Sequence, residues 1–319
     1  MANPLSHIPK TEARAALLSL AVSLILMGVK FGAYFATGSA AIFSDALENI
    51  VNVVASAFAL YSLSLSHLPA DEEHPYGHGK IEFLSAAFEG GMILVAAALI
   101  IIEATRSILR GVHLESLGLG MLLSFAAGLI NAGVGYLLLR IGRRQSAVAL
   151  EADGQHLITD AITSFGAVLA LIIVYFTGWK NADPIAAMVF AGYIVLIGVR
   201  LLFTAGAGLM DRQDERDVRL LRQILDSHVG PAGKEPRICS YHKLRHRHTG
   251  RYHWVDFHLV VPANWTIDQG HRIASSIEYE IELALGIGNA TAHIEPCTVA
   301  VCPHCASYAQ MSHIPAVGA

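Results

Sequence analysis

Two pairs of polar residues, each spaced four residues apart, lie inside strongly apolar stretches of the sequence. Glu48 and Asn52 form the first pair, and His156 and Asp160 form the second. Residues four apart in an α-helix share one face, so each pair would present its two side chains together. If the two faces meet, one imidazole nitrogen and three oxygen donors surround a point. That ligand set suits a divalent metal ion.

The apolar surroundings make such side chains costly to place. An ionisable side chain at the centre of a membrane-spanning helix costs about 2.5–3.5 kcal/mol to insert. Two matched pairs therefore indicate a binding site more strongly than a lone polar residue would. The alternative interpretation is that the two pairs form hydrogen bonds between helices and bind no metal.

The segment ADEEHPYGHGK, between the second and third apolar stretches, contains a second candidate site. It holds Asp71, His74 and His78, and a short loop can bring one carboxylate and two imidazoles together. The alternative is that this loop only caps the following helix, with Pro75 and Gly77 shaping its turn. The sequence leaves both interpretations open.

Histidine and cysteine are concentrated near the C-terminus. Ten of the 16 histidines follow Met210. Neutral imidazole adds no charge, so metal binding or pH sensing explains this concentration better than solubility does. Cys297, Cys302 and Cys305 lie within nine residues and could supply thiolates to a further metal ion. The alternative is a reduced tail that binds no metal.

The elements that must position these residues are six apolar stretches of membrane-spanning length, which is about 20 residues. Of the 319 residues, 54% are apolar and only 15% are charged. This composition is typical of a membrane protein with a modest soluble part. The stretches lie near residues 12–36, 40–66, 81–108, 115–141, 146–177 and 183–209.

The distribution of lysine and arginine predicts the orientation, because short cytoplasmic loops are enriched in these residues. An even number of spans puts both termini on one side. That side would hold six basic residues of the N-terminus and loops, against three on the opposite side. We therefore expect both termini to be cytoplasmic. The formal net charge of -4 argues against nucleic acid as the main partner.

After Met210 the periodicity predicts a small soluble α+β domain with the order α-β-β-α-β and helices on one face of a sheet. Thr249 and Gly250 are expected to form a hairpin turn, and Thr266 with Gln269 fits a capping box. The predicted elements are residues 214–229, 236–248, 251–261, 266–286 and 289–296. The chain is thus divided into residues 1–209, 210–296 and a cysteine-containing tail, 297–319.

Together these features resemble the cation diffusion facilitator family of metal exporters. The resemblance rests on the six spans, the paired motifs of the second and fifth spans, the segment HPYGHGK, and the α-β-β-α-β domain ending in HIEP. It implies six transmembrane helices and a C-terminal cytosolic domain with a ferredoxin-like fold that pairs with its copy in a homodimer. It also implies an integral protein of a bacterial plasma (inner) membrane, and a transporter rather than an enzyme.

By this resemblance, the transport site consists of Glu48, Asn52, His156 and Asp160. Many zinc-transporting members have His or Asp at the first of these positions and Asp at the second, so Glu48 and Asn52 depart from the family pattern. The departure puts the identity of the metal in question. Imidazole favours zinc, cobalt, nickel or copper over magnesium or calcium. The remaining oxygens also admit ferrous iron, manganese or cadmium.

The resemblance implies two further sets of metal ligands. Asp71, His74 and His78 form the loop set, and a regulatory set lies in the cytosolic domain. Its residues are His242, His258, His271, His293 and Glu295, with Glu295 at a position where the family often has Asp.

The mechanism that the resemblance implies is alternating access with proton antiport, with a divalent cation, zinc foremost, as substrate and regulator. A neutral imidazole binds metal and a protonated one does not, whereas Asn52 does not titrate. The rival hypotheses are an exporter of ferrous iron, manganese, cobalt or cadmium, and a membrane-anchored metal sensor. A membrane metalloprotease is disfavoured because the sequence has no H-E-x-x-H motif.

Overall fold

The computed structural model describes residues 8–37, 40–110, 119–179, 181–298 and 302. The chain divides into two compact units, Met1–Leu209 and Met210–Ala319. The first unit is helical, and the second combines two helices with a small sheet. The helices of the first unit are α1 (Lys10–Thr37), α2 (Ala40–Ser66), α3 (Ile81–Arg110), α4 (Leu119–Gln145), α5 (Val148–Thr177) and α6 (Ala182–Leu209).

Six helices among the described residues are long and apolar enough to cross a membrane, judged by length and composition. This confirms the predicted spans. The end of α4 differs, because the helix continues to Gln145 instead of ending at residue 141. Arginine is a good helix former, so the segment RIGRRQ continues the helix after its apolar part has ended. In the bundle, α3 packs against α6, α4 against α5, and α1 against α2.

The contact between α4 and α5 is made backbone to backbone by two glycines. A β-carbon on Gly154 would lie 2.9 Å from the backbone nitrogen of Leu139. A β-carbon on Gly135 would lie 3.0 Å from the backbone oxygen of Gly154. Only a residue without a side chain fits at such a close approach. This contact fixes the position of α5, which carries His156 and Asp160.

The start of α5 is anchored by a residue of another helix. Its N-cap residue, Ala147, has no side chain that can accept a hydrogen bond. Instead, the backbone N–H of Ala149 donates to a carboxylate oxygen of Glu82 at 3.3 Å. Glu82 is buried in the first turn of α3. A carboxylate at a helix N-terminus is also favoured by the helix dipole, so α3 and α5 are tied at this end.

The second unit has the predicted order of elements, which confirms the α+β fold. The elements are α7 (Glu215–Ser227), β1 (Ser240–Thr249), β2 (Tyr252–Val261), α8 (Ile267–Leu285) and β3 (Gly288–Pro296). β1 and β2 are antiparallel, β2 and β3 are parallel, and the sheet order is β1-β2-β3. One face of the sheet packs against the helices around a core that includes Leu221, Leu225, Phe257, Ile277 and Ile281.

Some local details of this unit were predicted correctly and others were not. The capping box of Thr266 and Gln269 is present. β1 begins at Ser240 instead of the predicted residue 236. Thr249 belongs to β1, and the turn consists of Gly250, at φ 62°, and Arg251. Glycine adopts this positive φ without steric cost, so the turn is displaced by one residue from its predicted place.

β1 contains a one-residue bulge between His242 and Arg245. Before the bulge His242 lies opposite His258, whereas after it His248 lies opposite His253. A shift of one residue reverses the face from which every later side chain projects. The histidines of β1 are therefore divided between the two faces of the sheet.

We expect Gly154→Ala to destabilise the membrane unit. Its added methyl group would meet backbone atoms of α4, and overpacking of this kind costs about 1–3 kcal/mol. The matched control is Gly133→Ala, since a β-carbon on Gly133 would have no atom within 4 Å. Thermal unfolding of the detergent-solubilised proteins measures the difference. Equal melting temperatures for the two variants would contradict the close contact.

Candidate metal sites

Three of the four predicted membrane ligands converge between α2 and α5. The side-chain N–H of Asn52 donates to an oxygen of Asp160 at 2.6 Å, and Nε2 of His156 lies 3.1 Å from the amide oxygen of Asn52. Nε2 of His156 is 4.0 Å from the Asp160 carboxylate. Asn52 and His156 are only 5% and 4% exposed. The fourth predicted residue, Glu48, lies on α2, and its side chain is outside the described part of the structure.

The side-chain amide of Asn52 holds this group together because it is both a hydrogen-bond donor and a hydrogen-bond acceptor. It donates to the carboxylate of Asp160 and accepts from the imidazole of His156. A carboxylate and an imidazole buried away from water would be costly without such partners. An entering cation would exchange these hydrogen bonds for bonds to the same amide oxygen, imidazole nitrogen and carboxylate oxygen. The group can therefore serve as a ligand set without rebuilding the helices around it.

Two buried carboxylates near this group were not singled out from the sequence. Asp153 lies one turn before His156 on α5 and accepts from the hydroxyl of Ser56 at 3.1 Å. Glu89 on α3 is fully buried, and within the described residues neither of its carboxylate oxygens has a hydrogen-bond partner. Asp160 and Asp153 are close enough to Glu89 to interact with it electrostatically. The rarity of carboxylates within apolar spans was the signal that could have found them.

The predicted loop ligands also converge. Asp71, His74 and His78 offer ligand atoms that all lie within 4.8 Å of one another. The carboxylate of Asp71 is 3.3 Å from Nδ1 of His74 and 3.4 Å from Nε2 of His78. Gly77, at φ 77°, allows the turn that brings His78 close to Asp71.

The Asp71 carboxylate is held by a backbone N–H of the loop as well as by the two imidazoles. The backbone N–H of His74 donates to Asp71 at 2.6 Å and holds the pKa of that carboxyl below its usual range. Asp71 is thus ionised at neutral pH and presents an anionic oxygen beside two imidazoles. This is a chemically reasonable cation site, and it is open to solvent because Asp71 and His74 are exposed.

In the second unit, three predicted ligands meet on one face of the sheet. His242, His258 and Glu295 offer atoms within 4.8 Å of one another. Nδ1 of His258 lies 2.6 Å from one oxygen of Glu295, and Nε2 of His242 lies 3.2 Å from the other. The hydrogen bond with His258 is the main cause that lowers the pKa of Glu295. We call these three residues the outer-face set.

The two remaining predicted residues of this unit differ in position. His293 is directly opposite His258 in the β2–β3 register, and its Nε2 is 3.9 Å from Glu295. It can therefore join the outer-face set after a small side-chain movement. His271 lies exposed on α8 and is not among the described ligand groups that converge. α8 packs on the core face of the sheet, away from the outer-face set, and the assignment of His271 as a ligand stays a prediction.

Among the described residues, two of the three predicted tail cysteines lie in one group with a further cysteine that was not predicted. Cys239, Cys297 and Cys302 have sulfur atoms within 4.8 Å of one another. Cys239 lies in the segment before β1. It was not predicted as a member of this group because it is far from the C-terminal tail in the sequence. The predicted Cys305 lies outside the described residues. Three thiolates are a set that zinc or another soft cation can use.

Two family models and several curated proteins match this chain. Residues 16–210 match the family described as the cation efflux transmembrane domain, and residues 232–297 match the cytoplasmic domain of cation efflux proteins. The uncharacterized transporter sll1263 of Synechocystis sp. is 38% identical over 281 residues, covering 88% of this chain and 89% of that protein. The cation-efflux pump FieF of Shewanella oneidensis is 26% identical over 281 residues, covering 88% and 93%.

The two matched regions together take in the six membrane helices and most of the sheet domain. The relative from Synechocystis aligns across both units. The family resemblance drawn from the sequence is thereby confirmed. The chain belongs to the cation efflux family, the cation diffusion facilitators, and is an integral membrane transporter of metal ions.

Proposed function

We propose that this protein exports a divalent transition-metal ion, zinc foremost, from the cytosol in exchange for protons. The observation that carries the proposal is the convergence of Asn52, His156 and Asp160 from two membrane helices into one buried group. Glu48, one turn before Asn52 on α2, completes the proposed ligand set. The cation-efflux pumps among the relatives support the direction of transport.

The chemistry of the ligands supports zinc over harder cations. One imidazole nitrogen favours zinc, cobalt, nickel or copper, whereas magnesium and calcium prefer a shell of oxygen atoms. The remaining donors are all oxygens. Ferrous iron, manganese, cobalt and cadmium are therefore the alternative substrates within the same family.

Proton exchange follows from the requirement that the ligands lose their protons before they bind metal. His156, Asp160 and Glu48 can each take up a proton after the ion leaves, whereas Asn52 cannot. A divalent ion that leaves an inside-negative cell moves against about 2.3 kcal/mol per charge per 100 mV. Inward movement of protons offsets this cost.

The sheet domain is proposed to sense cytosolic metal and to form a homodimer. The outer-face set supplies two imidazoles and one carboxylate, and residues 232–297 match the dimer-type cytoplasmic domain of the family. The loop of Asp71, His74 and His78 is proposed as a second cytosolic metal site. We further propose that both termini are cytoplasmic, as the distribution of lysine and arginine predicts, and that the six helices cross a bacterial plasma membrane.

We expect Asp160→Ala to reduce zinc flux into proteoliposomes to the level of protein-free vesicles. The change removes one carboxylate from a small ligand set and leaves too few donors for a dehydrated divalent ion. The control is Thr163→Ala, since the Thr163 hydroxyl donates only to a backbone carbonyl of its own helix. Near-normal flux through a folded Asp160→Ala protein would overturn the site assignment.

We expect Asn52→Asp to retain zinc transport at high pH. As the pH falls, the variant should lose transport at a higher pH than the wild type does. Aspartate cannot donate to Asp160 as the amide does, and two carboxylates this close together cannot both stay ionised. The pair would hold an extra proton that must leave before metal binds. Zinc flux is measured across a pH series, with Asn131→Asp on α4 as the control. Identical pH profiles for wild type and Asn52→Asp would place Asn52 outside the ligand shell.

We expect zinc to stabilise the protein through the outer-face set. An ion that binds only the folded form stabilises it by about 2.7 kcal/mol at a hundredfold excess over its dissociation constant. In an Asp160→Ala background, Glu295→Gln should therefore reduce the zinc-induced rise in melting temperature. Glu235→Gln changes an exposed glutamate of the same domain and should not. An unchanged rise with Glu295→Gln would contradict regulatory binding there.

A further inference from the structure

A second group of histidines lies on the opposite face of the sheet from the outer-face set. It consists of His246 and His248 on β1, His253 on β2 and Asp217 in the first turn of α7. Their ligand atoms all lie within 4.8 Å of one another. We call these four residues the inner-face set. None of them belongs to the sets proposed above for transport or regulation.

The carboxylate of Asp217 is the common point of this group. Its Oδ2 atom lies 3.7 Å from Nε2 of His246, 3.1 Å from Nε2 of His248 and 3.6 Å from Nδ1 of His253. Nε2 of His246 and Nδ1 of His253 are 3.0 Å apart. Tetrahedral zinc with bonds of about 2.0–2.1 Å places its ligand atoms about 3.4 Å apart. The observed separations of 3.0–3.7 Å lie on both sides of that value.

Burial distinguishes this group from a set of surface histidines. The side chain of His246 is fully buried, and the side chains of His253 and Asp217 are 16% and 24% exposed. Within the described residues, Nδ1 of His246 has no hydrogen-bond partner. Burial of an imidazole nitrogen without a partner costs free energy. A strong interaction of the second nitrogen, Nε2, would offset this cost.

The protonation state of the group also suits metal binding. Burial, and then the neighbouring His248, lower the pKa of His246 to about 4, and burial lowers the pKa of His253 as well. Both imidazoles are therefore neutral at physiological pH and have a lone pair available. Each neutral imidazole binds a cation through the nitrogen that carries no proton and keeps its N–H on the other nitrogen, so these two residues need not release protons when a cation enters.

The bulge in β1 is the reason that two separate sets exist. Residues before it, such as His242, project to the outer face, and His246 and His248 after it project to the face that carries the helices. The sheet therefore stands between the inner-face set and Glu295. An ion bound to one set cannot share ligands with the other.

We propose that Asp217, His246, His248 and His253 form a four-ligand tetrahedral site for zinc or a similar transition-metal ion, distinct from the transport and regulatory sites. Four protein ligands fill a tetrahedral shell and leave no open position, which is the pattern of structural zinc sites. The ion would join the first turn of α7 to the β1–β2 hairpin. It thus has a stabilising role within the sheet domain.

The test is the number of ions bound to the purified full-length protein. The protein is freed of metal, dialysed against Zn²⁺ and analysed for zinc per chain by mass spectrometry. Asp217→Asn and His248→Ala should each lose one ion per chain relative to the wild type. Asp268→Asn, which alters an exposed aspartate on α8, should lose none. His248 is preferred to the buried His246 because its removal leaves less of a cavity.

Two further measurements separate this site from the others. In a Glu295→Gln background, Asp217→Asn should still remove one ion, since the two sets share no ligand. With Co²⁺ in place of Zn²⁺, the wild type should show the strong visible absorption of tetrahedral cobalt, and Asp217→Asn should weaken it. Neither readout uses transport, so failure of the export proposal would leave this test intact.

The proposal is overturned if Asp217→Asn and His248→Ala both keep the wild-type number of ions while remaining folded by thermal unfolding. In that case the inner-face set is only a hydrogen-bonded group of side chains. It is also overturned if the loss of zinc seen with Asp217→Asn disappears in the Glu295→Gln background, because the two sets would then be a single site.

Discussion

The hydrogen bonds of Asn52 hold the centre of the membrane unit together. A carboxylate and an imidazole lie side by side among apolar helices, and the amide between them donates to one and accepts from the other. Such groups are tolerated in a bilayer only when their partners are supplied by the protein. The helix contacts around them serve this arrangement, since they hold α2 and α5 at the separation that one amide can bridge.

Much of this architecture could be predicted from the sequence. The membrane helices follow from apolar length, and the spacing of four residues puts Asn52 and His156 each on a polar face of its own helix. The order of elements in the sheet domain follows from alternation and from signals such as Thr266 with Gln269. The helices, the strands and the pairing of polar residues on one helix face depend on residues that are close in the chain, so periodicity predicts them.

Other features depend on strand register and on contacts between residues that are far apart in the sequence, and they could not be predicted from local patterns. The bulge after His242 reverses the face of later residues, so a strict alternation places His248 on the wrong side. Cys239 joins Cys297 because the backbone N–H groups of both cysteines donate to carbonyls at the end of β2, those of Val260 and Val261. Asp217 meets histidines of a hairpin thirty residues later through the packing of α7. Each case requires tertiary pairing that no local pattern specifies.

The glycine contact between α4 and α5 limits how the membrane unit can move. At Gly135 and Gly154 the backbones of the two helices are in close contact, so a relative displacement of the helices there would bring backbone atoms into collision. This close contact restricts sliding of α4 against α5. Between α2 and α5, by contrast, the hydrogen bonds described at the buried group are made by side chains, which can exchange partners without a change in the backbone.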